Sequence, residues 1–159
     1  MPLYFAYGSN MDSDDLIRWC ARNSCEVPKF SDTEPAILKK YKLDFNYFST
    51  FRQSGAANIM PEPSQSVYGL VSEISDADMA IVSKKEGFPA YYEKIYVTVE
   101  TLAGATMHDV ITFKAAIARE KSSFQTPSRY YLDLILANAR KHGFPSHYIQ
   151  KLESFPCKI

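Results

Sequence analysis

The chain has 159 residues, with 18 Lys and Arg against 18 Asp and Glu, and 46% of it is hydrophobic. Neutral overall charge gives no bulk field to draw it to nucleic acid or an anionic membrane surface. No apolar run nears the ~18 residues of a membrane span, and MPLYFAYGSN lacks the basic start of a secretory signal and reaches Gly8 too soon.

A length inside the usual ~100–200 residues predicts one domain over residues 1–159. Such a chain buries about 68–70% of its unfolded surface and needs no staples. The cysteines Cys20, Cys25 and Cys157 are odd in number and match no zinc or redox spacing. Free thiols in a cytoplasmic protein are therefore expected, rather than a disulfide between Cys20 and Cys25.

Residues 3–7 read as a buried strand that stops in Gly-Ser-Asn. Asp12, followed by Asp14 and Asp15, caps a helix to about residue 22, with acids where the helix dipole favours them. Residues 23–33 read as loop. Tyr41, Leu43, Phe45 and Tyr47 alternate with polar residues, which is strand periodicity. SGAANIMPEP reads as a short strand ended by its prolines, and SVYGLVSEI as a separate one. Ser75 and Asp78 form a capping box for a helix to about Lys85. Residues 91–115 read as a hairpin turning at Ala103-Gly104. Pro127-Ser128 opens a long helix that stops at Gly143, and Ser146 caps a short last one. Many strands with few helices predict an α+β fold, a small mixed β-barrel or strongly curled sheet with peripheral helices.

Three stretches carry the chemistry. In LYFAYGSNM, a Gly-Ser-Asn turn between strand and helix can aim successive backbone N–H groups into one small space, a nest for a carboxylate, phosphate or oxyanion. Gly8 permits close backbone approach or a positive φ. The tripeptide alone describes a polar turn equally well, and it fits no P-loop, dinucleotide fingerprint or nucleophile elbow, so Ser9 is a poor nucleophile. In KKEGFPAYYEK, Glu86 lies where a helix should stop. The negative end of the dipole disfavours its ionisation, as burial would. Lys84 and Lys85 are expected to carry their ammonium groups to solvent. Taken alone, Glu86 is more simply a surface residue at a helix end. The third stretch, TPSRYYLDLILANARKHGFPSHYIQKL, is by itself an amphipathic helix with a Pro start and a Gly stop. His108, His142 and His147 have no metal-ligand spacing.

In this order the three stretches resemble the gamma-glutamylcyclotransferase family. The resemblance rests on Tyr4 to Asn10 (YFAYGSN), Glu86-Gly87, Pro127-Ser128 with Tyr131, and Gly143-Phe144-Pro145 with Tyr148. It implies a mixed barrel and conversion of a gamma-glutamyl amino acid into 5-oxoproline and a free amino acid, with no metal and no cofactor. The substrate's own α-amine, of pKa about 8, attacks its γ-carbonyl. Glu86 inherits the proton transfers. Tyr4, Phe5, Ala6, Tyr7, Gly8, Ser9 and Asn10 inherit substrate binding, with Tyr92 preferred over Tyr91 and Tyr131 over Tyr130. Relatives acting on glutathione or gamma-glutamylamines tend to read Y-G-S-L or Y-G-T-L, so Asn10 points to the gamma-glutamyl amino acid branch. The expected partner is a small gamma-glutamyl substrate, with neither nucleic acid nor membrane, and a homodimer stays open. Two other readings remain: a cyclotransferase acting on a gamma-glutamyl group attached to a biosynthetic intermediate or amine, and a non-enzymatic module that binds a small acid.

Overall fold

A computed structural model describes all 159 residues. In chain order the elements are β1 (Leu3–Ala6), α1 (Ser13–Asn23), β2 (Ser31–Ser49), β3 (Ser54–Glu73), α2 (Asp76–Glu86), β4 (Tyr92–Thr101), β5 (Thr106–Ala115), α3 (Arg129–Lys141) and α4 (Ser146–Ser154). The strands close into a barrel in the order β1-β3-β2-β4-β5. Every pairing is antiparallel except β1 with β5, which meet in parallel at Tyr4 and Ile111 and close the ring. Closure leaves no free sheet edge. The fold is thus the expected α+β barrel with peripheral helices. Phe5, Phe45, Ile59, Val71, Val99 and Val110 are almost wholly buried in its core, and α3 adds Leu132 and Ile135. No helix is long and apolar enough to cross a membrane.

The caps explain why the helices begin where they do. Asp12 accepts from the Asp15 N–H at 2.9 Å, Ser75 from Asp78 and Ser128 from Tyr131, each at 3.1 Å. Pro145 rather than Ser146 occupies the cap position of α4, so the serine is already the first helical residue.

The strands depart further from expectation. β2 starts at Ser31, inside the stretch read as loop. Its first three residues are exposed and Asp32 takes a positive φ of 52°, so the apolar alternation that marks a strand is missing there. The two short strands expected on either side of Pro61 and Pro63 are one, β3. The prolines do not end it because the ladder slips beside them. Tyr41 pairs with Pro61 and Lys39 with Ser66, so residues 62–65 stand outside the register. A residue without an N–H costs little where no ladder bond is made.

A second slip shapes the interior. Asp44 pairs with Asn58 and Tyr47 with Ala56, which sets Phe45 and Asn46 opposite Ala57 alone. This is a bulge. The freed carbonyls of Phe45 and Asn46 accept from Gln125 and Lys121 of the segment after β5. The peptide of Ala57 is left facing inward.

Candidate active site

One end of the barrel opens into a cleft of ≈ 310 Å³ between the loop after β1, the end of α2, the β2–β3 turn and α3. The N–H groups of Gly8, Ser9 and Asn10 donate to no protein acceptor, while the carbonyls of Gly8 and Ser9 are taken by Met11 and Asp12. Three unpaired donors in succession, at the start of the short turn Ser9–Met11, are what an anion-binding nest needs. Gly8 itself has φ −122°, so the reason for glycine is space rather than a left-handed backbone. A methyl group there would sit 3.2 Å from the Tyr131 hydroxyl and 3.4 Å from Ala57 Cβ.

Glu86 is the last residue of α2, and Gly87 ends the helix at φ 71°. The same positive φ is what α2 needs to stop there, and glycine is the residue that takes it without strain. Glu86 is half-buried. Asn10 Nδ2 donates to its Oε1 at 2.7 Å and to the Tyr4 hydroxyl at 2.9 Å. Burial pushes the Glu86 carboxyl above its ordinary pKa, while Lys85, Arg52 and the Asn10 hydrogen bond pull it back. A carboxyl held in this way can take up a proton more readily than an exposed one and give it back.

Besides Tyr4, the buried tyrosines Tyr7, Tyr92 and Tyr131 wall the inner cleft. Ala57, freed by the bulge, donates its N–H to the Tyr131 hydroxyl at 2.9 Å and accepts from the Tyr92 hydroxyl at 2.7 Å. Tyr7 donates to the Phe113 carbonyl at 2.5 Å. The hydroxyls of Tyr7 and Tyr92, having spent their protons, keep lone pairs for a ligand. Tyr131 has accepted a bond and keeps its proton to donate. Burial raises all of them, Tyr131 to about 12 and the other two well above the ordinary tyrosine value, so they stay neutral at physiological pH.

The choice between adjacent tyrosines follows from burial. Tyr92 and Tyr131 are 6% and 4% exposed, whereas Tyr91 and Tyr130 are 41% and 51% exposed. Tyr91 does reach the mouth of the cleft. Of the residues expected from YFAYGSN, five line the cleft: Tyr4, Tyr7, Gly8, Ser9 and Asn10. Phe5 and Ala6 do not. Phe5 is wholly buried in the barrel core, and Ala6 faces a separate apolar cavity beneath α1. Strand alternation sends Phe5 to the opposite face from Tyr4, into the core, while Ala6, on the same face as Tyr4, has too short a side chain to reach the cleft.

Lys85 overturns an expectation. Its side chain is only 6% exposed and runs inward rather than to solvent. Its ammonium donates to Asn10 Oδ1 at 2.7 Å and Ser9 Oγ at 3.2 Å, and lies 3.5 Å from Asp15 Oδ2. Asp15 in turn pairs with Arg52 at 3.0 Å. The Arg52 guanidinium stands 4.8 Å from the centre of the Tyr131 ring. Sequence reasoning missed this cluster. Asp15 reads only as a first-turn helix acid, and Arg52 lies in a turn with no pattern at all. No group of three or more His, Cys, Asp or Glu side chains is arranged to hold a metal ion.

Residues 66–152 match the model of the AIG2-like family. The chain is 32% identical to a bovine gamma-glutamylcyclotransferase over 157 residues, spanning 96% of this chain and 77% of that protein. It is 27% identical to the mouse gamma-glutamylcyclotransferase with the same coverage. Among solved structures, a gamma-glutamyl cyclotransferase superposes with a TM-score of 0.80 at 27% identity, over 99% of this chain and 89% of that one. The barrel, the order of motifs and these relatives agree: the chain belongs to the AIG2-like, gamma-glutamylcyclotransferase family.

Proposed function

We propose that the cleft binds a gamma-glutamyl amino acid and converts it to 5-oxoproline and the free amino acid. The observation that carries this reading is the pairing, in one cleft, of a half-buried carboxylate at Glu86 with three unpaired N–H donors at Gly8, Ser9 and Asn10. The nest and the Tyr131 proton suit the oxygens of the gamma-glutamyl group. The lone pairs of Tyr7 and Tyr92, together with Glu86, suit its ammonium. Glu86 takes a proton from that ammonium. The freed amine attacks the γ-carbonyl carbon, forming the ring C–N bond and placing negative charge on the carbonyl oxygen. Collapse of the tetrahedral intermediate breaks the original amide C–N bond as Glu86 returns its proton to the departing amine; the ring nitrogen gives up its second proton, which ends on the released amine, leaving a neutral lactam and an ammonium. The substrate supplies its own nucleophile, so the protein's main tasks are to hold a folded conformer and to move protons. This makes the enzyme a lyase or acyltransferase of gamma-glutamyl compounds. Cysteines left as free thiols are in keeping with a cytoplasmic protein.

The test is 5-oxoproline release from a panel of gamma-glutamyl dipeptides, glutathione and gamma-glutamylamines, with and without EDTA. Dipeptides should turn over and chelation should change nothing. Glu86→Gln should lower kcat by at least the ~10²–10⁴-fold expected for a positioned general base, with ligand affinity largely kept. Near-wild-type release by folded Glu86→Gln would remove Glu86 from the chemistry. Tight binding of 5-oxoproline without turnover of any substrate would instead favour a sensor of small acids.

A further inference from the structure

The buried ammonium of Lys85 is not needed to bind any part of the substrate in the scheme above, yet it sits one residue from the base. Its side chain is 6% exposed, and its three N–H donors have three acceptors on hand: Asn10 Oδ1, Ser9 Oγ and Asp15 Oδ2. An ammonium has three donors and no acceptor; two of them are hydrogen-bonded to Asn10 and Ser9, and the charge is further paired with Asp15. The consequence falls on Asn10. Its amide can face either way by shape alone, but a cation at 2.7 Å must meet the oxygen, not the NH2. The NH2 is thereby turned to Glu86 Oε1 and the Tyr4 hydroxyl. Asp15 and Arg52 complete the arrangement from α1 and the β2–β3 turn, at 3.0 Å from each other.

From this geometry we propose that Lys85 is a positioning residue for the reaction: it fixes the Asn10 amide so that Asn10 holds one oxygen of Glu86 and leaves the other to the substrate. Its charge also opposes the rise that burial gives the Glu86 carboxyl. The proposal rests on Glu86 being the base. The groups facing Glu86 limit which charges matter. Tyr4 from β1, Tyr7 from the loop after it, Tyr92 from β4 and Tyr131 from α3 are all neutral at physiological pH because burial raises them. Lys85 and Arg52 are the cations that act on Glu86, and Asp15 lies between them. Burial opposes the charge on Lys85, and the carboxylates of Glu86 and Asp15 sustain it. Removing the ammonium therefore does two separable things. It frees the Asn10 amide to rotate, and it raises the pKa of Glu86.

The experiment uses the full chain and compares Lys85→Met, Lys85→Gln and Glu86→Gln with the wild type. It follows 5-oxoproline release from a gamma-glutamyl dipeptide across pH, with folding checked by thermal midpoint. Lys85→Met should lower the pH-independent kcat by about 10- to 100-fold, a part of what a general base contributes. It should also move the acidic limb of kcat/KM to higher pH. Lys85→Gln keeps a donor for Asn10 Oδ1 without the charge, so it should recover part of kcat while its acidic limb stays displaced. If Lys85→Met fails to fold, the displaced limb of Lys85→Gln still carries the proposal. An inactive Glu86→Gln beside lysine variants with wild-type kcat and limb would overturn the proposal and leave the assignment of Glu86 standing. A lowered kcat with an unmoved limb in both lysine variants would make Lys85 a packing residue only and overturn it as well. A fully active Glu86→Gln would take down both.

Discussion

Replacing Tyr131 by Phe separates the structural and chemical duties of one hydroxyl. The ring's contacts survive: its edge-on packing against Phe45 at 6.3 Å and the Arg52 guanidinium over its face at 4.8 Å. What disappears is the acceptor for the Ala57 N–H at 2.9 Å. That donor has no ladder partner, because the bulge at Phe45 and Asn46 removed it from the register. Leaving a buried N–H unpaired costs about 1–3 kcal/mol. For a chain of this size each kcal/mol moves the thermal midpoint by about 2–4 °C, so a fall of roughly 2–12 °C is expected. Tyr92→Phe strips the same residue of its other partner, but on the carbonyl side. Under-satisfied carbonyls are better tolerated than orphaned N–H groups, so Tyr92→Phe should cost less. The chemical duty shows in kinetics. The Tyr131 hydroxyl keeps its proton to donate, and losing one donor to a developing oxyanion costs about 10²–10³ in kcat. The assay is thermal unfolding of both variants beside kcat and KM for a gamma-glutamyl dipeptide. A Tyr131→Phe protein as stable as the wild type would show that Ala57 has another partner. One that is destabilised but fully active would refute the hydroxyl as a donor to substrate.

Two further outcomes are expected. Gly8→Ala places a methyl group 3.2 Å from the Tyr131 hydroxyl and 3.4 Å from Ala57 Cβ, so those groups must give by a few tenths of an ångström. Thermal midpoint should change little and kcat/KM fall strongly; the reverse pattern would mean that Gly8 serves the turn alone. Glu86→Gln should stabilise the protein near neutral pH. A carboxyl whose folded pKa lies above its unfolded one loses stability as pH rises through the folded value, and is without penalty below the unfolded one, about 4.3. The gain in thermal midpoint near pH 7 should therefore vanish under acid conditions, and its absence near neutrality would show that Lys85 and Arg52 fully offset the burial.

The sequence announced its helices through side chains that act within one turn. Asp12, Ser75 and Ser128 each bond an N–H three residues on, and such short-range bonds depend little on the rest of the chain. The long strands were harder to read. Whether Pro61 and Pro63 end β3 depends on the register of β2 beside them, and Asp32 and Lys40 take positive φ where that register slips. The site divides in the same way. YFAYGSN and Glu86-Gly87 are local signatures. The inward turn of Lys85 is set by where the end of α2 meets α1 and the opening loop, and the pull of Asp15 and Arg52 comes from residues 37 positions apart. No local pattern contains that meeting. The value of Ala57 was also hidden, because it lies in its backbone and not in its methyl group.

The bulge at Ala57 makes the two ends of the cleft unequal in their freedom to change. Around Tyr92 and Tyr131, the hydroxyls that wall the cleft also tie the barrel through Ala57, so altering them loosens the scaffold that holds them. At the mouth, Phe51 stands on the β2–β3 turn and Tyr91 on the bend before β4, both exposed and both outside any ladder. Substitutions there cost the fold little. A library that varies Thr50, Phe51 and Tyr91 can therefore reshape the mouth of the cleft while the residues around Glu86 stay fixed.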